Sequence, residues 1–224
     1  MNSIKIILFP FFILTLLIYT GCAPFNKTKK GAIIGTAAGA GMGAVIGKAS
    51  GNTALGAIIG AAVGGSAGAL IGNKMDKQAR EIKSAVPDAE VIRVGEGIVV
   101  EFTSSILFSF DKSTLSNQAK GNLDNLAEIL NTHSDTDIEI QGHTDSKGSN
   151  SYNQNLSIQR AKAVSNYLSQ KGTASHRLNI KGFGEKLPKY LNDSAEGREK
   201  NRRVEFLITA NEKMKKEAVN QAGQ

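Results

Sequence analysis

The sequence predicts an α/β domain, with one sheet and its helices packed on it, preceded by a glycine-rich helical hairpin. Three observations carry this prediction. Strand-like and helix-like patterns alternate over residues 88–210, glycines recur every four residues before them, and an apolar run near the start leads to the single cysteine. With 41% hydrophobic and 21% charged residues among 224, the chain is neither a disordered tail nor a polytopic membrane protein.

The start of the chain has the pattern of an export signal. The apolar run at residues 6–18 is too short to span a bilayer core of about 30 Å. Small residues and then Cys22 follow it, and this arrangement resembles a bacterial lipobox, although Tyr19 stands where that pattern prefers an aliphatic residue. An ordinary signal peptide with an incidental cysteine is the alternative.

The lipobox resemblance divides the N-terminal region into a signal peptide at 1–21 and a lipidated linker at 22–30. Several acyl chains on Cys22 would anchor the mature chain stably, because each buried methylene contributes about 0.8 kcal/mol. Cys22 is followed by Ala23 rather than by the Asp that retains some lipoproteins at the inner membrane. We therefore expect the chain to be anchored in the lipid of the outer membrane, with its globular part in the periplasm.

A glycine ladder with a four-residue step occupies residues 31–72. Residues four apart share one face of a helix, so each half of the ladder would present a groove that another backbone can approach closely. The polar residues 48–53 would form the turn of a helical hairpin, whose ladders face each other or face copies in a homo-oligomer. Too few large apolar residues are present to require membrane insertion, so packing or membrane association is favoured over a pore. The ladder consists of Gly31, Gly35, Gly39, Gly43, Gly47, Gly56, Gly60, Gly64, Gly68 and Gly72.

Helical spacing continues after the ladder, and it predicts a helical connector over 73–87 that ends at Pro87. Two strands around a glycine turn follow, at 91–94 and 98–100. The globular domain is expected to extend over 88–210.

Within the domain, apolar periodicity alternates between helix and strand. The apolar segment at 106–110 is followed by a helix with its core stripe between Leu115 and Leu130, a strand at 137–141, and a helix from about Asn153 that Gly172 stops. The last strands lie at 178–183 and 204–208, and the polar tail at 211–224 is expected to be a short solvated helix.

The net charge of +7 does not indicate a nucleic-acid-binding domain. Residues 1–87 carry 9 basic and 2 acidic side chains, whereas residues 88–210 carry 15 and 16. A surface that binds phosphates would place its positive excess on the folded domain. Nucleic acid is therefore excluded as the expected partner.

A candidate binding site lies where the strand at 137–141 ends. Ligands gather at the carboxyl ends of strands in open α/β sheets, and Asp145 lies in the loop that leaves this strand. Arg160 lies on the following helix, four residues after Leu156, and borders its apolar stripe. An arginine in that position requires an anion, which is either a ligand or Asp145 itself in a structural ion pair.

These residues carry a family resemblance. The strand end Gly142-His143-Thr144-Asp145, the run from Asn155 to Ala161, the turn from Gly182 to Glu185 and the closing run from Gly197 to Glu205 resemble the OmpA-like C-terminal domain that is shared with Pal. The resemblance covers roughly residues 98–209, and the whole chain resembles OmpA-family lipoproteins with a glycine-zipper segment. It implies a two-layer α/β sandwich in βαβαββ order that binds peptidoglycan non-covalently and tethers the outer membrane to the cell wall.

The resemblance also implies a ligand and a set of contacts. Diaminopimelate in the peptidoglycan stem peptide has a free amino-acid end, of which Asp145 would take the ammonium and Arg160 the carboxylate. No cofactor and no metal are implied. Matching by motif adds further residues around the pocket, which are Ser113, Thr144, Asn155, Leu156 and Arg203.

Two other functions compete with wall binding. An enzyme would have to use His143, but hydrolytic catalysis also needs a nucleophile, an activated water or a metal, together with further partners. A zinc site would have to rely on carboxylates, because the chain has three histidines. We therefore expect no enzymatic activity. The alternative function is a glycine-zipper pore or self-assembling membrane module for which the OmpA-like domain is the wall tether.

Overall fold

The computed structural model describes residues 65–109 and 111–223. The expected signal peptide, Cys22 and most of the glycine ladder lie outside the described residues. The described chain forms one five-stranded sheet in the order β1-β2-β5-β3-β4. The strands and helices in chain order are α1 (Gly65–Ala85), β1 (Glu90–Val94), β2 (Gly97–Thr103), α2 (Ser104–Leu107), α3 (Asn117–Thr132), β3 (Thr136–His143), α4 (Asn150–Gln170), β4 (Leu178–Gly184), α5 (Ala195–Asn201), β5 (Arg203–Ala210) and α6 (Glu212–Ala222).

The architecture confirms the predicted fold class. From β2 to β5 the order is βαβαββ, with the short α5 inserted before the last strand. β5 lies at the centre and pairs antiparallel with β2 and β3, while β3 pairs parallel with β4 across the α4 crossover. Alternate residues on these strands, such as Ile98, Ile140 and Phe206, are fully buried in one apolar core with α1, α3, α4 and α6. These four helices therefore form the second layer on one face of the sheet.

The crossover helix α4 lies unusually close to the sheet, because two glycines face it. A Cβ atom at Gly142 of β3 would lie 2.1 Å from the carbonyl oxygen of Ser157, and one at Gly182 of β4 would lie 2.4 Å from Cγ1 of Ile158. Real Cβ atoms do not approach other atoms this closely. Only glycine at both positions permits this packing, which sets the position of every α4 side chain relative to the end of β3.

The N-terminal helix differs from the expected connector. A boundary at residue 72 separates ladder from connector in the prediction, but α1, which is described from Gly65 onward, runs through it without a break. Ile71, Met75 and Ile82 on its inner face are fully buried in the domain core. Burial of this apolar face stabilises the helix, and α1 is an integral part of the domain. Among the described residues, no helix is long and apolar enough to cross a bilayer.

We predict that Ile82→Val lowers the free energy of unfolding by about 1 kcal/mol, because a methylene is removed from a closely packed core. Urea denaturation of the full chain measures this change. The matched control is Ile158→Val, also on a helix but 38% exposed, which is expected to change stability much less. A change in stability for Ile82→Val that is as small as the change for Ile158→Val would show that α1 is a connector that does not pack on the domain.

Two other helices depart from the sequence analysis. The seven residues of α5 have no apolar periodicity, so nothing predicted a helix there. The tail does form a helix, α6, but it is not fully solvated, because Met214 and Ala218 are buried in the core beside α1. The Lys74 ammonium on α1 lies 3.0 Å from the Asp135 carboxylate and 3.4 Å from that of Glu217 on α6, which links the two ends of the described chain.

Candidate functional site

A cavity of about 430 Å³ opens at the carboxyl end of β3. Its walls come from α2, the loop after α2, the loop between β3 and α4, the first turns of α4, and α5. Charged and polar side chains dominate its lining. The residues that line it are Ser104, Ser105, Phe108, Ser109, Asp111, Thr144, Asp145, Lys147, Tyr152, Asn153, Leu156, Arg160, Arg198 and Arg202.

Asp145 is a buried carboxylate with two preset donors. Its Oδ1 accepts a hydrogen bond from the backbone N–H of Lys147 at 2.9 Å, and its Oδ2 accepts one from Nη1 of Arg202 at 2.6 Å. The Asn153 side chain donates to the backbone carbonyls of Asp145 and Lys147, and this fixes the loop. A carboxylate has about four lone-pair positions, so Asp145 can accept a further donor from the cavity.

Arg160 is almost completely buried, with 3% of its surface exposed. Its Nε donates to the carbonyl of Lys112 at 3.0 Å, its Nη1 lies 3.4 Å from the hydroxyl of Ser104, and its guanidinium lies 5.3 Å from the centre of the Phe108 ring. Burial lowers the pKa of Arg160 below its ordinary value, and the Asp111 carboxylate opposes this by raising it. Among residues 65–109 and 111–223, no ion pair satisfies this guanidinium, so the alternative of a structural Asp145–Arg160 pair is not realised.

The edge of the cavity is shaped by Asp111, which has a backbone φ of 56°. It is the only non-glycine residue with positive φ in the described part of the chain, and aspartate is one of the residue types that tolerate this conformation. The Tyr152 hydroxyl on α4 donates to its Oδ1 at 2.5 Å. This contact closes one side of the cavity between the loop after α2 and α4.

The structure places six of the seven predicted site residues in two neighbouring cavities. Thr144 and Leu156 line the larger one together with Asp145 and Arg160. Ser113 and Asn155 line a second cavity of about 400 Å³, which shares Asp111, Tyr152 and Leu156 with the first. The two cavities thus lie side by side along the start of α4.

Arg203 lines neither cavity, so the structure does not bring it to the pocket where the motif match expects it. Arg203 is the first residue of β5, and its side chain is fully buried. Its Nε lies 2.7 Å from the carboxylate of Glu205 on the same strand. The residue before it, Arg202, points to the other side and reaches Asp145. Successive side chains at the start of a strand face opposite ways, and this one-residue difference decides which arginine reaches the cavity.

Sequence reasoning missed nine charged or polar lining residues. Four of them are small and uncharged, namely Ser104, Ser105, Ser109 and Asn153, and the other five are charged or phenolic. The run from Gly197 to Glu205 was part of the motif, and Arg198 and Arg202 within it have the four-residue spacing of one helix face, which could have identified them. Nothing in the sequence pattern identified the other three, which are Asp111, Lys147 and Tyr152.

His143 is fully buried at the end of β3 and does not line the cavity. Its ring stacks on Phe183 with 5.3 Å between centres, and neither ring nitrogen has a hydrogen-bond partner among the described residues. Burial, with a smaller effect from the positive charge of Arg203, lowers the pKa of His143 well below its ordinary value. Its contacts are those of a core aromatic residue. The described residues contain no cluster of His, Cys, Asp and Glu side chains that could hold a metal ion.

We predict that His143 makes the fold sensitive to acid. Because the folded pKa is lowered, protonation favours the unfolded chain, and stability is lost as the pH falls below the unfolded value of about 6.5. The wild-type free energy of unfolding should fall by up to about 2 kcal/mol from this group between pH 7 and pH 5. Urea denaturation at both pH values measures this change. The variant His143→Phe keeps a ring for Phe183 to stack on, and it should lose the part of the pH dependence of stability that comes from His143. An unchanged pH dependence in this variant would contradict the prediction.

Comparison with known proteins connects this geometry to a family. The OmpA family model matches residues 107–202, and the YMGG-like Gly-zipper model matches residues 1–76. The chain is 33% identical over 195 residues to the probable lipoprotein YiaD of Escherichia coli, covering 85% of this chain and 88% of that protein. It is 34% identical over 104 residues to the peptidoglycan-associated lipoprotein of Legionella pneumophila, covering 46% and 59%.

The fold is shared with a solved structure of a bacterial cell wall anchor. The cell wall anchor of the type VI secretion system (T6SS) from Pseudomonas aeruginosa is 26% identical and superposes with a TM-score of 0.53, covering 61% of this chain and 97% of that one. Three other curated relatives are longer proteins, of whose length the chain spans 16% to 36%. YiaD is matched over nearly its full length. The chain therefore belongs to the OmpA family, as a member with an N-terminal glycine zipper.

Proposed function

We propose that this protein binds peptidoglycan non-covalently through the diaminopimelate of the stem peptide and tethers the outer membrane to the cell wall. The observation that carries the proposal is the juxtaposition of Asp145 and Arg160, a buried carboxylate and a buried guanidinium that open into one cavity. A single carbon that bears both an ammonium and a carboxylate matches this pair. Lysine, whose side-chain ammonium has no carboxylate on the same carbon, does not match it.

The chemistry of the two residues supports this division of roles. Asp145 has lone pairs left for an ammonium after its bonds to Lys147 and Arg202. The Arg160 guanidinium is held in place by its hydrogen bond to the Lys112 carbonyl and by the Phe108 ring. Its remaining N–H groups can therefore donate to a carboxylate in a charge-assisted, two-pronged contact. A buried cation is costly without an anion, and ligand binding would supply one.

The relatives support the same function at the level of the family. Two relatives are named as a probable lipoprotein and a peptidoglycan-associated lipoprotein, and one structural neighbour is a cell wall anchor. In the proposed arrangement, acyl chains on Cys22 hold the protein in outer-membrane lipid, and the domain binds the wall in the periplasm. The wall-binding role is structural rather than enzymatic.

Co-sedimentation of the full chain, in detergent, with purified sacculi tests the proposal. Asp145→Ala and Arg160→Ala are each expected to weaken binding at least tenfold, since each removes a charge-assisted contact. Arg160→Lys, which keeps the charge but loses the fork, should also bind weakly. Circular dichroism establishes that the variants are folded.

Two controls make the result specific. Asp137→Ala and Arg80→Ala remove the same charges from exposed positions on β3 and α1, and they should bind as the wild type does. Sacculi with lysine in place of diaminopimelate should bind poorly. Wild-type protein that stays in the supernatant with diaminopimelate sacculi would overturn the proposal.

A further inference from the structure

The cavity carries more positive charge than a zwitterion needs. Four cationic side chains line it, and two carboxylates, those of Asp111 and Asp145, face them. The amino-acid end of diaminopimelate brings one charge of each sign, so its binding leaves this excess of two positive charges unchanged. The four cations are Lys147, Arg160, Arg198 and Arg202.

The excess lies on one wall. Arg198 and Arg202 are four residues apart, on α5 and at its C-terminal end, so both project from the same face of that helix into the cavity. Arg160 and Asp145 lie on other elements, α4 and the loop after β3. The zwitterion site and this pair of arginines thus line the same cavity from different elements, and the contact between Arg202 and Asp145 connects them.

The arginine wall is held rigidly. The hydroxyl of Ser194 caps α5 by accepting from the N–H of Gly197, and a Cβ at Gly197 would lie 2.0 Å from the carbonyl oxygen of Leu191. Nη1 of Arg198 donates to the carbonyl of Asn192 at 2.7 Å, which orients the guanidinium and leaves other N–H groups of the fork for a ligand. A preset donor loses little entropy when it binds.

We propose that Arg198, with Arg202 beside it, binds a second carboxylate of the stem peptide, outside the amino-acid end that Asp145 and Arg160 hold. This inference rests on the proposed function and deepens it, because it assigns the ligand as a stem peptide with a further free carboxylate. Two groups of the peptide have that chemistry: the α-carboxylate of the isoglutamyl residue before diaminopimelate, and the carboxyl terminus of the alanine after it. Amidation of the group concerned abolishes the contact.

Binding of soluble muropeptides to the full chain, measured by calorimetry, tests the inference. The ligands are the disaccharide tetrapeptide, the same compound with its isoglutamyl carboxylate amidated, and the same compound with the carboxyl terminus of its alanine amidated. If the isoglutamyl carboxylate is bound, amidation weakens wild-type binding roughly tenfold. If the terminal carboxylate of alanine is bound, amidation of that carboxylate weakens wild-type binding roughly tenfold, and amidation of isoglutamate has no effect.

Arg198→Gln identifies the residue. This variant should weaken binding of the preferred ligand roughly tenfold and leave binding of the ligand that lacks the second carboxylate unchanged, which a general loss of structure would not do. Lys200→Gln, which removes an exposed charge from the same helix, is the matched control and should match the wild type.

The outcomes separate this inference from the proposed function. Equal wild-type affinity for all three muropeptides, with binding still lost in Asp145→Ala, would overturn the second carboxylate and leave the wall-binding proposal standing. An Arg198→Gln variant that weakens all ligands equally would also overturn it. Failure of the wild type to bind any muropeptide would overturn both.

Discussion

Gly142→Ala is expected to be among the most damaging single-methyl additions in this domain, lowering the free energy of unfolding by about 3 kcal/mol or more. The new Cβ would lie 2.1 Å from the carbonyl oxygen of Ser157, a backbone atom that cannot rotate away. Relief requires the whole of α4 to move off the sheet, and Arg160 moves with it. Binding to sacculi should therefore weaken as well as stability.

The matched control is Gly121→Ala on α3, where an added Cβ meets nothing within 4 Å. Gly121 is exposed in the interior of a helix, so alanine should stabilise the chain there by about 0.5–1 kcal/mol. Urea denaturation of both variants measures the two effects, which have opposite signs. A Gly142→Ala chain as stable as the wild type would show that α4 does not lie on β3 at the distance described.

Arg203→Leu is expected to lower the free energy of unfolding by about 3–5 kcal/mol, because it removes one partner of a buried ion pair. Arg203 is fully buried, its Nε lies 2.7 Å from Glu205, and Glu101 lies 3.9 Å away. Denaturation by urea measures the loss. The folded fraction should still bind sacculi, since Arg203 lines neither cavity.

The adjacent residue provides the contrast. Arg202→Leu should weaken binding while it changes stability less, because the Arg202 side chain is 31% exposed and its partner Asp145 faces the cavity. If Arg203→Leu left the chain fully stable but abolished binding, Arg203 would belong to the pocket, and its buried ion pair with Glu205 would be contradicted.

The repeating elements could be predicted from the sequence because their burial is periodic. The first half of β3 alternates between buried and exposed side chains, and α3 carries a regular apolar stripe, so periodicity identified them. The helix α5 could not be found in this way, since it is short, polar and held by its cap and by Asn201. Asn201 accepts from the backbone N–H groups of Lys189 and Tyr190.

The candidate site was only partly predictable for a related reason. A strand end followed by a polar loop indicated Asp145, and the border of an apolar stripe indicated Arg160. The partner of Asp145 depends on where β5 begins, and a shift of one residue exchanges the directions of Arg202 and Arg203. Contacts between distant segments, such as the one between Asp111 and Tyr152, leave no mark on local periodicity.

The course of α1 determines how the domain responds to mechanical tension. At about 1.5 Å per residue, the 21 residues of α1 form a rod of about 31 Å that enters the domain core with no slack segment after Gly65. A pull on the chain upstream reaches Ile71 and Met75 within the first turns, and then the Lys74 contacts to Asp135 and Glu217. The helix α6 therefore supports α1 against the pull, and removal of α6 should lower the force at which the domain unfolds.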